Sequence, residues 1–203
     1  AVTVIGASKG QCLERIRDAQ DAGLEDMGEN YVQEWREKHE ALEDAVRWHF
    51  IGHLQRNKAK FLLPGVSMIH GVDSVKTLRT IHRLGDSLAQ RVRVCIQVNL
   101  AEESSKSGVA PSALGPLVES AIGLEGIELC GLMTIPPKGQ FGETRNWFAR
   151  LRRLRDRWAT EPQPMPVLSM GMSADFDGAI VEGATHVRIG SALFGQRPTK
   201  HFE

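Results

Sequence analysis

The sequence of 203 residues is 41% hydrophobic and 25% charged, which is typical of a globular chain with a well-buried core, and we expect one domain over residues 1–203. Its 25 basic and 25 acidic residues cancel, so no overall field favours nucleic acid or an anionic membrane. Cys12, Cys95 and Cys130 are odd in number and widely spaced, which argues against a disulfide framework or a zinc site and fits a reducing cytoplasm. No apolar run in the sequence is long enough to span a bilayer.

Apolar, β-rich runs alternate with segments of helical period along the whole sequence. The predicted strands are residues 2–7, 25–28, 47–51, 66–71, 92–99, 128–133, 167–170 and 186–189. Between them, spacing such as Leu13, Ile16 and Ala19 predicts helices with one apolar stripe. No linker divides the units, so we predict a single (β/α)8 barrel of the α/β class, with an open doubly wound sheet as the alternative.

Lys9 follows the first predicted strand, at the end of a barrel where active sites are built. A lysine there, partly desolvated and facing other cations, can lose its proton and act as a Schiff-base nucleophile; the alternative is a surface lysine that starts a solvated loop. Glu29 and Asn30 follow the second strand at the same mouth. Asn30 either hydrogen-bonds a ring oxygen of a ligand or caps the next helix.

Three further segments carry polar or basic residues. His49 and His53 are four residues apart, but the residues between them are predicted to form a strand that ends at Gly52. The two histidines should therefore not share a helical face as zinc ligands would, and we expect no zinc site. Lys106 lies in a polar loop after the fifth strand, where it either attracts an anion or is solvated. The basic run 150–157 alone suggests nucleic acid, but its leucines recur at helical spacing, which predicts a solvated outer face of a helix.

The segments 168–175 and 186–195 both read as a short strand that ends in a Gly/Ser turn and opens a helix. Glycine lets the backbone approach an anion, and free amides at a helix start carry the positive end of the dipole. Two such turns, from Ser173 and from Gly190 and Ser191, predict a phosphate cradle after the last two strands. The alternative for Ser173 is an ordinary helix cap.

Arg188 lies two residues before the second turn and is predicted to point into the barrel. Its acceptor is either a pyridine nitrogen, which would stay unprotonated because arginine keeps its protons, or a carboxylate such as Glu29. A Schiff-base lysine such as Lys9, facing a phosphate site, is what pyridoxal phosphate (PLP) requires.

Seven motifs together resemble the pyridoxal-phosphate homeostasis protein family, and they cover essentially the whole sequence in order. They are residues 7–9 (ASK), 27–34 (MGENYVQE), 48–55 (WHFIGHLQ), 105–108 (SKSG), 131–136 (GLMTIP), 168–175 (LSMGMSAD) and 187–195 (VRIGSALFG). The resemblance implies a single-domain barrel similar to the N-terminal domain of bacterial alanine racemase, with PLP as its cofactor.

The cofactor-binding residues that the resemblance implies are Lys9, Asn30, Ser173, Arg188, Gly190 and Ser191. Lys9 would form the internal aldimine, and Ser173 with the Gly190 and Ser191 amides would hold the phosphate. Arg188 would face the pyridine nitrogen, and Asn30 would line the ring.

The sequence departs from the family pattern in three places. Residues 10–12 (GQC) replace a threonine-lysine-proline run, so we expect a more mobile first loop. Met27 replaces a phenylalanine, a packing change of little consequence. Family members usually have a helix before the first strand, whereas this sequence begins at that strand.

Racemisation in the alanine racemase family uses a lysine and, from a second domain, a tyrosine on the other face of the cofactor. Here Tyr31 is the single tyrosine, and nothing in the sequence places it across the ring from Lys9. We therefore expect a monomeric PLP carrier that supplies apoenzymes, not an enzyme, with no nucleic-acid or membrane partner. The alternatives are an amino-acid racemase or a Schiff-base lyase on a phosphorylated sugar.

Overall fold

The computed structural model describes residues 1–42, 45–137 and 139–195. Its centre is a closed barrel of eight parallel strands that pair in chain order. The strands are β1 (Thr3–Ala7), β2 (Asp26–Glu29), β3 (Arg47–Phe50), β4 (Met68–Val72), β5 (Val92–Gln97), β6 (Ile127–Met133), β7 (Val167–Met172) and β8 (His186–Ile189). The last strand pairs with the first, with Thr3 opposite His186. The predicted barrel is confirmed, and the open-sheet alternative is wrong.

Helices connect the strands and cover the outside of the barrel, as a parallel sheet requires. They are α1 (Leu13–Asp21), α2 (Val32–Leu42), α3 (Ala59–Leu62), α4 (Val75–Ser87), α5 (Leu114–Ile122), α6 (Phe141–Trp158), α7 (Phe176–Val181) and α8 (Ser191–Phe194), with short 3-10 turns at Arg56–Lys58 and Pro111–Ala113. Gly23 and Gly183 follow α1 and α7 at φ of +93° and +90°, so the chain leaves both helices through the left-handed backbone that glycine adopts without strain.

Most predicted strand bounds differ from the observed ones by one or two residues. The predicted fifth strand is too long because β5 ends before Val98, which pairs with Val109 in an isolated bridge as the chain folds back. The predicted seventh strand is too short because β7 continues to Met172, beyond an irregularity in its pairing with β8 that begins at Ser169.

The apolar core lies mainly between the strands and the helices that cover them. Trp48, Phe148 and Leu151 are at most 1% exposed within this continuous cluster. Removing such side chains from water is the main favourable term in folding. The core therefore holds the strands in place, and the rim residues at their carboxyl ends are built on a rigid frame.

The basic run of α6 lies on the outside of the fold. Leu151 is fully buried, whereas Arg150, Arg153 and Arg157 are exposed, so the predicted amphipathic arrangement is confirmed. No helix in the described part of the chain combines the length and the apolar character that crossing a bilayer requires.

Candidate functional site

Lys9 lies just beyond β1, at the carboxyl-end rim of the barrel, as predicted. Its Nζ donates to the hydroxyl of Tyr31 over 3.1 Å and lies 4.5 Å from the centroid of that ring. Tyr31 comes from the turn between β2 and α2, so the pairing of neighbouring strands brings the two side chains together. The sequence does not indicate this contact, because residues 22 positions apart meet only through the pairing of β1 with β2.

The loop that carries Lys9 is tied to α2 by buried charges. Lys38 donates to the carbonyl of Ser8 at 2.7 Å and to the Glu29 carboxylate at 2.5 Å. Glu34, one helical turn before Lys38, accepts from the backbone amide of Gly10 at 2.7 Å. Side chains of α2 thus hydrogen-bond the backbone on both sides of Lys9, although glycine replaces the family's threonine at position 10.

Glu29 is fully buried, and its nearest cation is Lys38. The Ser8 hydroxyl also donates to it at 2.7 Å. Burial raises the pKa of Glu29, while Lys38 and Ser8 oppose that rise by stabilising the charged form. The alternative in which Glu29 pairs with Arg188 is therefore wrong. Glu29 organises the Lys9 loop, and Arg188 has other partners.

The two predicted phosphate turns meet at one point. The Ser173 hydroxyl accepts hydrogen bonds from the backbone amides of Gly190 at 3.1 Å and Ala192 at 3.2 Å. Ser191 lies between these amides as the first residue of α8. Since α7 begins at Phe176, Ser173 does not cap it, and the capping alternative is wrong.

Arg188 points into the barrel, as predicted, and is 4% exposed. Its guanidinium donates to the Ser169 hydroxyl at 2.7 Å and to the Thr134 carbonyl at 2.9 Å. Burial lowers the pKa of Arg188 to about 10, against the attraction of Asp175, so the side chain stays cationic at neutral pH. Two of its five N–H donors are engaged by these bonds.

A continuous hydrogen-bonded chain, here called the interior chain, crosses the barrel from Asp26 to Arg188. Asp26 contacts His49 at 2.8 Å, and His49 contacts His70 at 2.9 Å. His70 in turn contacts the hydroxyl of Ser169 at 2.8 Å, and Ser169 accepts from Arg188. The sequence did not predict this chain, because its members come from five strands. The one available signal is that alternate residues of each strand point into the barrel, which places these side chains in its interior.

Two histidines inside the barrel make the fold sensitive to acid. Burial lowers the pKa of His70 well below its usual value, with His49 and Arg188 adding to the effect, and burial lowers the pKa of His186 to about 4. An unfolded histidine titrates near pH 6.5, so below that pH the unfolded chain binds protons that the folded chain does not. The contribution of these histidines to the free energy of unfolding is complete above about pH 6.5. It decreases as the pH drops, by at most about 1.4 kcal/mol per pH unit for each histidine.

We therefore expect the free energy of unfolding to fall by roughly 4 kcal/mol between about pH 6.5 and about pH 4.5, measured by urea unfolding. His186→Asn, which keeps a polar group beside Thr185, should make this slope shallower. His53→Asn removes an exposed histidine and should leave the slope unchanged. Equal slopes in all three proteins would contradict this origin of the acid sensitivity.

A cavity of about 450 Å³ opens at the rim beside Tyr31. Its lining includes Asn30, Tyr31, Phe50, Gly52, His53 and Lys58. Because α2 begins at Val32, the position before the helix falls on Tyr31, and Asn30 is not its cap. A Cβ on Gly52 would overlap the carbonyl oxygen of Asn30, so this wall of the cavity requires glycine.

The remaining polar candidates are not assembled into a second site. His49 is buried and His53 is exposed beside Asp73, and the described residues contain no group of three or more histidines, cysteines or acidic residues that could hold a metal. Lys106 is paired with Glu103 at 2.8 Å and contacts the Pro136 carbonyl.

Comparison with known proteins gives consistent matches over nearly the full length. Residues 6–198 match the family "Alanine racemase, N-terminal domain". The pyridoxal phosphate homeostasis protein of Aquifex aeolicus is 45% identical, over 96% of this chain and 86% of its own length. That of Pseudomonas aeruginosa is 41% identical, over 97% of this chain and 85% of its own length.

Solved structures agree with these matches. PipY of Synechococcus elongatus, solved with PLP bound, superposes with a TM-score of 0.89 at 35% identity, covering 96% of this chain and 92% of PipY. Alanine racemase of Corynebacterium glutamicum has a TM-score of 0.75 at 16% identity and covers 100% of this chain and 58% of the racemase, a likeness of fold alone.

Proposed function

The chain belongs to the alanine racemase N-terminal domain family, as one of its pyridoxal phosphate homeostasis proteins, and from that premise we propose that it binds PLP at the barrel rim and holds it in reserve for other proteins. The observation that carries this proposal is the convergence of the Gly190 and Ala192 amides on the Ser173 hydroxyl. Amides that converge on one oxygen fit a phosphate, which is a stronger acceptor than a hydroxyl.

The position of Lys9 fits the aldehyde of the same PLP molecule whose phosphate the Gly190 turn would bind. Because β1 pairs with β8, Lys9 and the Gly190 turn lie on neighbouring parts of the rim, and a Cβ on Gly190 would lie only 3.6 Å from that of Ala7. When bound, PLP supplies an aldehyde that condenses with a primary amine and releases water. We propose Lys9 as that amine. The Tyr31 hydroxyl, 3.1 Å from its Nζ, accepts a hydrogen bond from it and so orients the amine at the rim.

We propose that Arg188 faces the pyridine nitrogen and that Asn30 lines the ring. A cationic arginine donates a hydrogen bond but does not transfer a proton, so the ring nitrogen would stay unprotonated and the ring would be a poor electron sink. Asn30 is assigned to the ring because it lines the rim cavity beside Tyr31.

We infer that the protein has no strong catalytic activity of its own. Racemisation needs proton donors on opposite sides of the reacting carbon, whereas Lys9 and Tyr31 are in hydrogen-bond contact with each other. With a neutral ring nitrogen as well, a role as a monomeric carrier that supplies PLP-dependent apoenzymes in the cytoplasm fits this site better than a racemase or lyase.

The test is an absorption spectrum of the purified protein with PLP, before and after borohydride, followed by mass mapping of the labelled residue. We expect a visible band that reduction removes, with the pyridoxyl mass on Lys9 and no turnover of amino acids. A protein that stays colourless and takes up no PLP would overturn the proposal. Amino-acid turnover would favour the racemase, and a sugar phosphate trapped by borohydride would favour the lyase.

A further inference from the structure

The interior chain has one consistent arrangement of its protons. All five members are at most 7% exposed, so each must find its hydrogen-bond partner inside the protein. Arg188 can only donate, so Ser169 accepts from it and has its own O–H proton to give to His70. A neutral His70 that accepts at Nδ1 carries its proton on Nε2 and donates it to His49 Nδ1. His49 then donates from Nε2 to Asp26.

Asp26 selects this direction over the reverse. If His70 donated to Ser169, then His49 would donate to His70, and its bare Nε2 would face the carboxylate of Asp26 with no proton between them. Burial opposes the charge on Asp26, but the hydrogen bond from His49 and the charge of Arg47 outweigh it and lower the pKa of Asp26. The anion at one end and the cation at the other therefore align every bond from Arg188 to Asp26.

We propose that Asp26 is a positioning residue for the cofactor: through the interior chain it commits the Ser169 proton to His70, so that Arg188 alone presents donors toward the pyridine ring. This inference rests on the proposed PLP site. Arg188 and Ser169 are in direct contact, and Asp26 lies three hydrogen bonds from the Ser169 oxygen. A serine hydroxyl released from His70 would offer the ring nitrogen a second, neutral donor.

The decisive variant is Asp26→Asn, which keeps the size of the side chain but adds two donors. Arg47 donates to both oxygens of Asp26, at 3.2 and 3.1 Å. In the variant the amide oxygen therefore faces Arg47 and the NH2 group faces His49. The chain then runs in reverse, with both histidines protonated on Nδ1 and the Ser169 proton released. Glu25→Gln is the matched control, because Glu25 contacts the same arginine at 2.9 Å but is outside the chain.

The first measurement needs no cofactor. Nitrogen chemical shifts of the imidazole rings, read in the full-length protein by NMR, report which nitrogen of each histidine carries the proton. We expect Nε2–H for His49 and His70 in the wild type and in Glu25→Gln, and Nδ1–H for both in Asp26→Asn. A wild-type His70 with its proton on Nδ1, or an unchanged pattern in Asp26→Asn, would overturn the proposal.

The second measurement uses PLP labelled with ¹⁵N at the ring. We expect the ring-nitrogen signal to shift in Asp26→Asn relative to the wild type and Glu25→Gln, and the shift to disappear in Asp26→Asn/Ser169→Ala, which has no hydroxyl to release. An identical signal in Asp26→Asn and the wild type would overturn the link to the cofactor. A wild type that binds no labelled PLP would instead overturn the proposed function, whatever the histidine tautomers are.

Discussion

Lys9→Ala is expected to abolish borohydride-dependent attachment of PLP completely. Lys9 Nζ is the rim amine that the Tyr31 hydroxyl orients through a hydrogen bond, and alanine offers no nucleophile in its place. The variant should keep the proposed phosphate contacts, since those come from Ser173 and from the Gly190 and Ala192 amides. We therefore expect it to bind PLP reversibly, without a reducible visible band, in equilibrium dialysis followed by mass analysis.

Lys106→Ala is the matched control for this experiment, because Lys106 also follows a barrel strand but is paired with Glu103. It should carry the same pyridoxyl label as the wild type. Label on Lys106 in the wild type, or label that persists in Lys9→Ala, would assign the linkage to another amine. Lys9 is not in the buried core, so both variants should unfold at the same urea concentration as the wild type.

Lys38→Met is expected to lower the free energy of unfolding by about 3–5 kcal/mol, the usual cost of leaving one partner of a buried ion pair without the other. Lys38 is 7% exposed and Glu29 is fully buried, so water cannot compensate the remaining carboxylate. The Ser8 carbonyl also loses its donor, which loosens the loop next to Lys9. Urea unfolding at neutral pH measures the loss, and PLP titration should show weaker binding.

Two further variants separate the buried charge from other effects of Lys38→Met. Glu29→Gln/Lys38→Met removes both charges and should be more stable than Lys38→Met alone, while its PLP binding stays weakened because Ser8 still lacks its donor. Glu25→Gln breaks an exposed pair with Arg47 and should cost less than about 1 kcal/mol. A Lys38→Met variant no less stable than Glu25→Gln would refute the role of the buried pair.

The barrel could be predicted from the sequence because its signals are local. Strand and helix periods alternate along the chain, and the turns at Ser173 and Gly190 carry their own residue signatures. Strand ends are not encoded locally, because they depend on pairing with the neighbouring strand. The short bridge from Val98 to Val109 ends β5 through a contact that no local pattern encodes.

The contacts that organise the site were harder to predict. The Lys9–Tyr31, Glu29–Lys38 and His49–His70 contacts each join residues from different elements. In the sequence Lys38 is one of several charged residues of a helix, and His49 is indistinguishable from a packed strand histidine. Their partners are fixed by the pairing of neighbouring strands and by the need to satisfy buried polar groups, which are properties of the folded chain.

The Ser173 hydroxyl occupies the proposed phosphate site from within the protein. An incoming phosphate competes with it for the Gly190 and Ala192 amides, so binding exchanges one set of hydrogen bonds for another instead of filling bare donors. On departure the serine takes the amides back, and no unsatisfied backbone is left to slow release. Such a site would give up part of its affinity in return for reversibility, which suits the proposed role of a protein that releases the cofactor it holds.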